Sequence, residues 1–268
     1  MALDDRVKFG TVERARRIWA VGAVHGEFDR LSALHQRLAR GFRAGDRLVY
    51  LGNYLGRGAR IVDTIDEMLL FRRALMARFS LFETDVQFLR GSQEEMWQKL
   101  LQLQLAQSPA QVFEWMITQG VEATLRAYGV NPDSGRMRCR DGPLALARWS
   151  LELREAIRAH AGHEQLLSAL RRAAYTDDGH ILFVHAGIDT SRPLAAQTDS
   201  FWWGGGDFAG IVEPYEGFSR IVRGFDPGHG GVDIGVVAAT VDSGCGFGGP
   251  LTAICLERTG EVVEAIEG

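Results

Sequence analysis

Short apolar runs alternate with longer amphipathic stretches in the N-terminal third of the chain. The apolar runs at 17–21, 47–51 and 85–89 have the length of buried strands. Between them, apolar positions recur at helical spacing from 28 to about 40 and from about 60 to 76. This order of strand, helix, strand, helix and strand predicts an α/β arrangement with parallel strands.

The middle of the chain loses the strand pattern, and the C-terminal third regains it. Leucine, alanine, arginine and glutamine at helical spacing predict a helical insertion or cap over about 95–175, divided by turn sequences at 131–133 and 141–143. Further strands are predicted at 181–185, 219–223, 236–241 and 251–257. We predict one domain of the α/β class over residues 1–268, with an antiparallel portion near its end.

The composition is that of an ordinary globular protein and excludes several function classes. Hydrophobic residues make up 46% and charged residues 24% of the chain, which is sufficient for a large core. A net charge of −4 gives no field that favours nucleic acid, and no apolar run reaches the roughly 18 residues that cross a bilayer. The few cysteines lack metal-binding spacing, and no signal peptide is evident. We expect a cytoplasmic protein that binds neither nucleic acid nor a membrane.

Glycine-flanked polar loops follow the predicted strands and carry the candidate chemistry. In chain order they are GAVHG at 22–26, GNYLGRG at 52–58, GSQE at 91–94, HAG at 185–187, GF at 224–225 and DSG at 242–244, followed by GG at 248–249 and LT at 251–252. Loops at the ends of strands in an open α/β sheet meet at one crevice. We therefore expect these loops to converge.

In order and spacing, these loops resemble the phosphoprotein phosphatase branch of the calcineurin-like metallophosphoesterases. That branch includes bacterial serine/threonine phosphatases and diadenosine tetraphosphate hydrolases, and its pattern is GDxHG, GDxxDRG, GNHE, HAG, GH and DTG…GG…LT. The match runs from residue 17 to residue 257. The resemblance implies a four-layer α/β/β/α sandwich with a helical insertion beside the cleft. It also implies two divalent metal ions held by six ligands.

Most of the implied metal ligands are absent from this sequence. Of the six positions, His25 and His185 keep a ligand side chain, and the other four hold Ala23, Asn53, Ser92 and Phe225. Two dications close together need anionic bridging oxygens, and both implied carboxylates are missing. We expect no metal cofactor at stoichiometric occupancy, and at most one weakly bound zinc or manganese ion between the two histidines.

The proton-donating pair that the resemblance implies is also replaced. The family's GNHE histidine protonates the leaving group, and the second aspartate of GDxxDRG orients it. Gln93 and Gly56 stand at these positions. An amide transfers no proton at neutral pH, and glycine has no side chain that could orient a partner. We predict no catalytic residue at any of these positions and interpret the chain as a pseudo-phosphatase.

Two arginines remain as candidates for binding phosphate. Arg57 matches the family's phosphate-gripping arginine, and Arg223 flanks the end of another predicted strand. A guanidinium binds a phosphate group through two parallel donors. We predict that the cleft binds a phosphorylated small molecule or a phosphoprotein without cleaving it, and we also expect a protein partner.

Less specific interpretations remain open for the same residues. His25 and His185 are also compatible with packed structural histidines, and Arg57 with a salt bridge inside its own loop. Phe225 is of a type that fills cores, and Asn53 of a type that stabilises turns. A purely structural subunit with a closed cleft is one rival to the binding function.

The histidines outside the family pattern leave a second rival open, an active phosphoesterase with a rebuilt or mononuclear metal site. A bulge after residue 225 would bring His229 to the site as a replacement ligand, with Asp226 or Asp233 nearby. His160 and His163 fall in the helical insertion, where we predict solvent-exposed side chains.

Overall fold

The computed structural model describes residues 8–268 and places eleven strands in two sheets. The strands are β1 Phe9–Val12, β2 Arg17–Val21, β3 Arg47–Tyr50, β4 Val86–Phe88, β5 Ala173–Thr176, β6 Ile181–Val184, β7 Arg220–Arg223, β8 Gly231–Ile234, β9 Ala238–Asp242, β10 Thr252–Glu257 and β11 Val262–Glu267. The five-stranded sheet has the order β11-β10-β2-β3-β4, and the six-stranded sheet has the order β1-β5-β6-β7-β9-β8.

Helices connect the parallel strands of the five-stranded sheet and fill the middle of the chain. They are α1 Phe28–Gly41, α2 Ile61–Phe79, α3 Ser92–Leu100, α4 Pro109–Met116, α5 Glu122–Ala127, α6 Pro132–Asp141, α7 Pro143–Arg158, α8 His163–Ala169 and α9 Ser200–Trp203. Short 3₁₀ turns occupy Glu83–Asp85, Leu103–Leu105 and Leu194–Ala196, and one π turn, Ile117–Val121, joins α4 to α5. Strands β2, β3 and β4 are parallel, with α1 and α2 as the crossovers.

Alternate strand residues face two different cores, as the period of two in a strand requires. In β2, Ile18 and Ala20 belong to the apolar layer between the sheets, whereas Trp19 and Val21 pack under the helices. On the six-stranded sheet, Phe183 faces the layer between the sheets, and its neighbours pack against the 188–218 segment. The predicted α/β sandwich of two sheets is therefore confirmed.

The structure differs from the predicted elements at short or half-exposed strands. The end of the predicted helical insertion, residues 173–175, is wrong: these residues belong to β5, which pairs with β1 in parallel. Strands β1, β8 and β11 were not predicted at all. β8 and β11 are edge strands with mostly exposed side chains, so they lack the apolar run that marks a buried strand. That residues 1–268 form one domain stays a prediction.

The helical insertion contains one histidine whose predicted environment was wrong. His163 is completely buried rather than solvent-exposed. The hydroxyl of Tyr128 lies 2.7 Å from its Nδ1, and Asp66 of α2 lies 3.1 Å from its Nε2. These contacts join the insertion to α2, and a helical pattern alone does not reveal them because the partners lie in other elements.

The structure also bears on the predictions about membrane-spanning segments and cysteines. Within residues 8–268, no helix has both the length and the apolar composition that crossing a bilayer requires. Cys139, Cys245 and Cys255 are free thiols.

Candidate functional site

The loops after the central strands of both sheets meet at one edge of the sandwich. The N–H of Ala23, after β2, donates to the carbonyl of Gly224, after β7, across 2.9 Å. Gly224 in turn donates to the carbonyl of His185, after β6, and Val24 donates to the carbonyl of Asn53, after β3, both across 3.0 Å. These backbone bonds lock the strand ends of the two sheets together.

A cavity of about 270 Å³ opens where these loops meet. It is lined by His25, Arg57, Ser92, Gln93, Met96, Gln119, Trp202, Trp203, Phe225, Pro227, His229 and Phe247. Among the described residues that line it, none is aspartate or glutamate. Larger surface clefts, of about 460 and 680 Å³, lie along the 188–216 segment, away from the residues that the loop pattern singled out.

Asn53 stands where the resemblance implies a metal-bridging carboxylate, and its side chain is used for structure. It is completely buried, in the left-handed region with φ 55°. Its Oδ1 accepts hydrogen bonds from the backbone N–H of Gln93 (2.9 Å) and the hydroxyl of Ser92 (3.0 Å), which stabilises the start of α3. Its Nδ2 then faces Nε2 of His25 at 3.2 Å.

The hydrogen bond from Asn53 fixes the proton of His25. An amide nitrogen only donates, so Nε2 of His25 must accept, and the neutral ring carries its proton on Nδ1. The ring is 1% exposed, and Nδ1 has no partner among the described residues. Burial, with smaller contributions from the nearby His185 and Arg57, lowers the pKa of His25 well below its ordinary value. His25 therefore has no free lone pair for a metal ion.

His185 is neutral as well, and it is covered by Phe225. Its Nδ1 donates to the backbone carbonyl of Leu51 across 2.7 Å, which leaves a lone pair on Nε2, buried and without a partner among the described residues. Burial lowers the pKa of His185 to about 4. The half-buried ring of Phe225 stacks on His185 at 5.4 Å and meets His25 edge-on at 5.8 Å. Phe225 is therefore a wall of the cavity and not simple core filling.

Gly56 and Gln93, which stand at the positions of the implied proton-donating pair, pack directly against each other. Gly56 has φ +80°, and a Cβ atom there would lie 2.4 Å from Cδ of Gln93. Gln93 donates from Nε2 to the backbone carbonyl of Gln119 across 2.8 Å, and its Oε1 has no partner among the described residues. The glutamine side chain thus occupies the space that the glycine leaves.

Glu94 organises the site, a role that we did not predict. Its carboxylate accepts the backbone N–H groups of Asn53, Tyr54, Leu55 and Gly91, all within 2.8–3.0 Å. The side chain is buried, and burial raises the pKa of Glu94 even though these four bonds favour the ionised form. The signal for this role was present, because a carboxylate three residues after a glycine turn is typical of a helix N-terminus.

The two candidate phosphate-binding arginines have different surroundings. Arg57 has an exposed guanidinium 4.1 Å from the centre of the Phe247 ring. Within residues 8–268 it forms no salt bridge, so the alternative of a salt bridge inside its loop is wrong. Arg223 does not line the cavity, because Thr240 accepts from its Nε at 2.9 Å and Asp226 lies 3.2 Å from its terminal nitrogen. A phosphate-binding role for Arg223 stays a prediction.

His229 reaches the cavity, whereas its neighbouring carboxylates do not line it. Its Nδ1 lies 3.0 Å from Oδ2 of Asp242, and its ring packs on Phe247 at 3.8 Å. Asp226 is held by Arg223, and Asp233 lies exposed in β8. The loop thus brings a third histidine to the site, in contact with Asp242, but neither Asp226 nor Asp233, the carboxylates considered for a rebuilt metal centre, lines the cavity.

The residues present do not fit the dinuclear metal centre that the resemblance implies. Within the described part of the chain, no three histidine, cysteine or acidic side chains are placed to hold a metal ion together. Asn53 uses its oxygen to accept two hydrogen bonds, and His25 has no free lone pair. Of the six implied ligand positions, only His185 keeps the implied ligand side chain with a free lone pair, on Nε2, and a stable site usually supplies three or four protein ligands.

Comparisons with known proteins place the fold. No family model matches the chain, and no curated protein matches it. A candidate diadenosine tetraphosphatase is 18% identical, with 98% of each chain covered and a TM-score of 0.58. A cold-active protein tyrosine phosphatase is 15% identical, with 98% of this chain and 82% of that chain covered and a TM-score of 0.52. A cold-active protein tyrosine phosphatase from a psychrophilic Shewanella species is 16% identical, with 95% of this chain and 82% of that chain covered and a TM-score of 0.50.

These similarities concern the fold, because the identities are low. They agree with the two stacked sheets of the sandwich. The resemblance predicted from the sequence is thus confirmed at the level of architecture, and the chain has the calcineurin-like metallophosphoesterase fold.

Proposed function

We propose that this chain is a pseudo-phosphatase, a non-catalytic protein that binds a phosphorylated ligand on a phosphoesterase fold. The observation that carries the proposal is Arg57, which has no acidic partner within residues 8–268 and lines a cavity whose described lining contains no carboxylate. The ligand would be a phosphorylated small molecule or a phosphoprotein, and a regulatory protein partner in the cytoplasm would fit the same proposal.

The lack of hydrolysis is supported by how the replacement residues are bonded. The side chain of Asn53 is hydrogen-bonded to Ser92 and His25. The amide group of Gln93 lies beside Gly56, and neither of these residues can exchange a proton at neutral pH. Hydrolysis of a phosphate ester by this fold would need both an activated nucleophile and an acid for the leaving group. The replaced positions supply neither.

Anion binding is supported by the charge and position of Arg57. The cation–π contact with Phe247 holds the guanidinium at the cavity mouth and leaves its N–H groups free to donate. Charge-assisted hydrogen bonds from a guanidinium to phosphate are strong and geometrically specific. Among the described residues, the lining contains no carboxylate and no acceptor is bonded to the Arg57 guanidinium.

Calorimetric titration with inorganic phosphate and with a phosphoserine peptide tests binding. We expect Arg57→Ala to weaken the binding of both by about tenfold or more. Arg60→Ala is the matched control, because Arg60 is also an exposed arginine stacked on a ring, Phe28, but does not line the cavity. No binding of either probe would leave the purely structural subunit as the better explanation.

Metal content and turnover test the non-catalytic part. We expect the protein purified with added Mn²⁺ to hold no stoichiometric metal and to release no detectable phosphate from an aryl phosphate. Stoichiometric metal together with turnover that His185→Ala abolishes would establish the rival, an active phosphoesterase with a rebuilt site.

A further inference from the structure

Three side chains in the cavity wall are buried and each has one polar atom without a partner. His25, Gln93 and Trp202 are 1%, 4% and 5% exposed. Nδ1 of His25, Oε1 of Gln93 and Nε1 of Trp202 have no hydrogen-bond partner among the described residues. Buried polar groups are normally paired, so three unpaired atoms on residues that line one cavity point to a ligand that completes them.

The surrounding bonds determine which of these atoms donate and which accept. The indole nitrogen of Trp202 is a donor only, and the bond from Asn53 makes Nδ1 of His25 a donor. In Gln93, the amide nitrogen faces the carbonyl of Gln119, which can only accept, so Oε1 is the unpaired atom and is an acceptor. These three residues therefore offer two buried donors and one buried acceptor, and the cation of Arg57 and the ring of His229 also line the cavity.

We infer that the cavity binds a phosphate group carrying one proton, with its P–OH donating to Oε1 of Gln93 and its other oxygens accepting from His25, Trp202 and Arg57. This inference rests on the proposed function, since it describes the ligand of the same cavity. An unprotonated anion such as a sulfate ester satisfies the donors but places a lone pair against Oε1. Gln93 is thus the residue that determines specificity.

Phenyl phosphate and phenyl sulfate form a matched pair of probes for the aromatic cavity. A phosphate monoester has its second pKa near about 6, so at about pH 5 it is mostly a monoanion with one P–OH group. Phenyl sulfate is then also a monoanion and has no proton to donate. We expect calorimetry to show phenyl phosphate binding about tenfold or more tightly, because only it satisfies the acceptor.

The variant Gln93→Met removes the acceptor and keeps the size of the side chain. We expect its affinity for phenyl phosphate to fall to that for phenyl sulfate, while sulfate binding changes little. Gln98→Met is the matched control, since Gln98 lies on the same helix and does not line the cavity. Comparing the two probes on the unmodified protein needs no variant, so the test does not depend on how Gln93→Met folds.

The outcomes separate this inference from the proposed function. Equal binding of the two probes to the unmodified protein overturns the inference and leaves anion binding intact. A preference for phenyl phosphate that persists in Gln93→Met overturns the assignment to Gln93. Binding of neither probe overturns the proposed function and this inference together.

Discussion

The side-chain amide of Asn53 donates a hydrogen bond to Nε2 of His25 across 3.2 Å, in the interior of the candidate site. An aspartate at this position would accept from the same nitrogen or share a metal ion with it. The amide instead forces the imidazole to keep its proton on Nδ1. One change of side chain thereby converts a potential metal ligand into a fixed hydrogen-bond donor.

The first prediction concerns the protonation of the buried histidines. Long-range ¹H–¹⁵N spectra at neutral pH should show His25 and His185 as neutral rings with the proton on Nδ1, because burial lowers the pKa of both. In Asn53→Asp, the carboxylate can only accept, so the proton of His25 should move to Nε2 while His185 stays unchanged. An Nε2 proton on His25 in the unmodified protein would contradict the assignment.

The second prediction is a loss of stability in acid that originates at His185. The pKa of His185 is about 4 in the folded protein and about 6.5 when unfolded. Between these values the unfolded chain binds a proton that the folded chain does not, so the free energy of unfolding falls as the pH falls through this window. The contribution is about 3 kcal/mol, fully present above about pH 6.5 and lost by about pH 4.

Urea denaturation at several pH values checks this prediction with two asparagine variants. His185→Asn keeps a donor for the carbonyl of Leu51 and cannot titrate, so its stability should fall less steeply in acid. His180→Asn, at an exposed histidine, should follow the unmodified protein. The pH dependence of the free energy of unfolding that remains in His185→Asn should include a contribution from His25, whose pKa is also lowered. Identical slopes in all three proteins would refute the contribution of His185.

The third prediction concerns Glu94. In Glu94→Gln only one oxygen remains to accept, and the new NH₂ group faces backbone N–H donors. We expect a loss of about 2–5 kcal/mol in the free energy of unfolding, because each unpaired buried N–H costs about 1–3 kcal/mol. Glu95→Gln is the matched control: it breaks only contacts with the partly exposed Arg90 and Lys99 and should cost under about 1 kcal/mol.

The fourth prediction is a coupling between Gly56 and Gln93. Gly56→Ala should destabilise the fold by about 2–4 kcal/mol, because the new methyl group meets Gln93 and the backbone has a positive φ. Combining it with Gln93→Ala removes the steric part and leaves the backbone strain of about 1 kcal/mol. Chemical denaturation should therefore show that the double variant loses less free energy of unfolding than the two single variants lose together. Losses that add exactly would contradict direct contact between the two residues.

The amino-acid sequence by itself determined the architecture and the identity of the missing chemical groups. Apolar runs such as 47–51 mark the central strands, and glycine loops behind them place the candidate residues at one edge. The absence of a carboxylate at Ala23 and Asn53 is visible directly. The strands follow from local periodicity, and the missing groups follow from residue types at positions that the family resemblance implies, so neither needs knowledge of distant contacts.

Only the tertiary structure decided what the remaining side chains do. Arg223 forms a salt bridge with Asp226, whereas Arg57 has no acidic partner within residues 8–268, although both looked alike in the sequence. His163 is buried, and the His25 proton is fixed by a residue 28 positions away. Hydrogen-bond partners, burial and protonation depend on groups that folding brings together from separate elements, and local sequence patterns do not encode those distances.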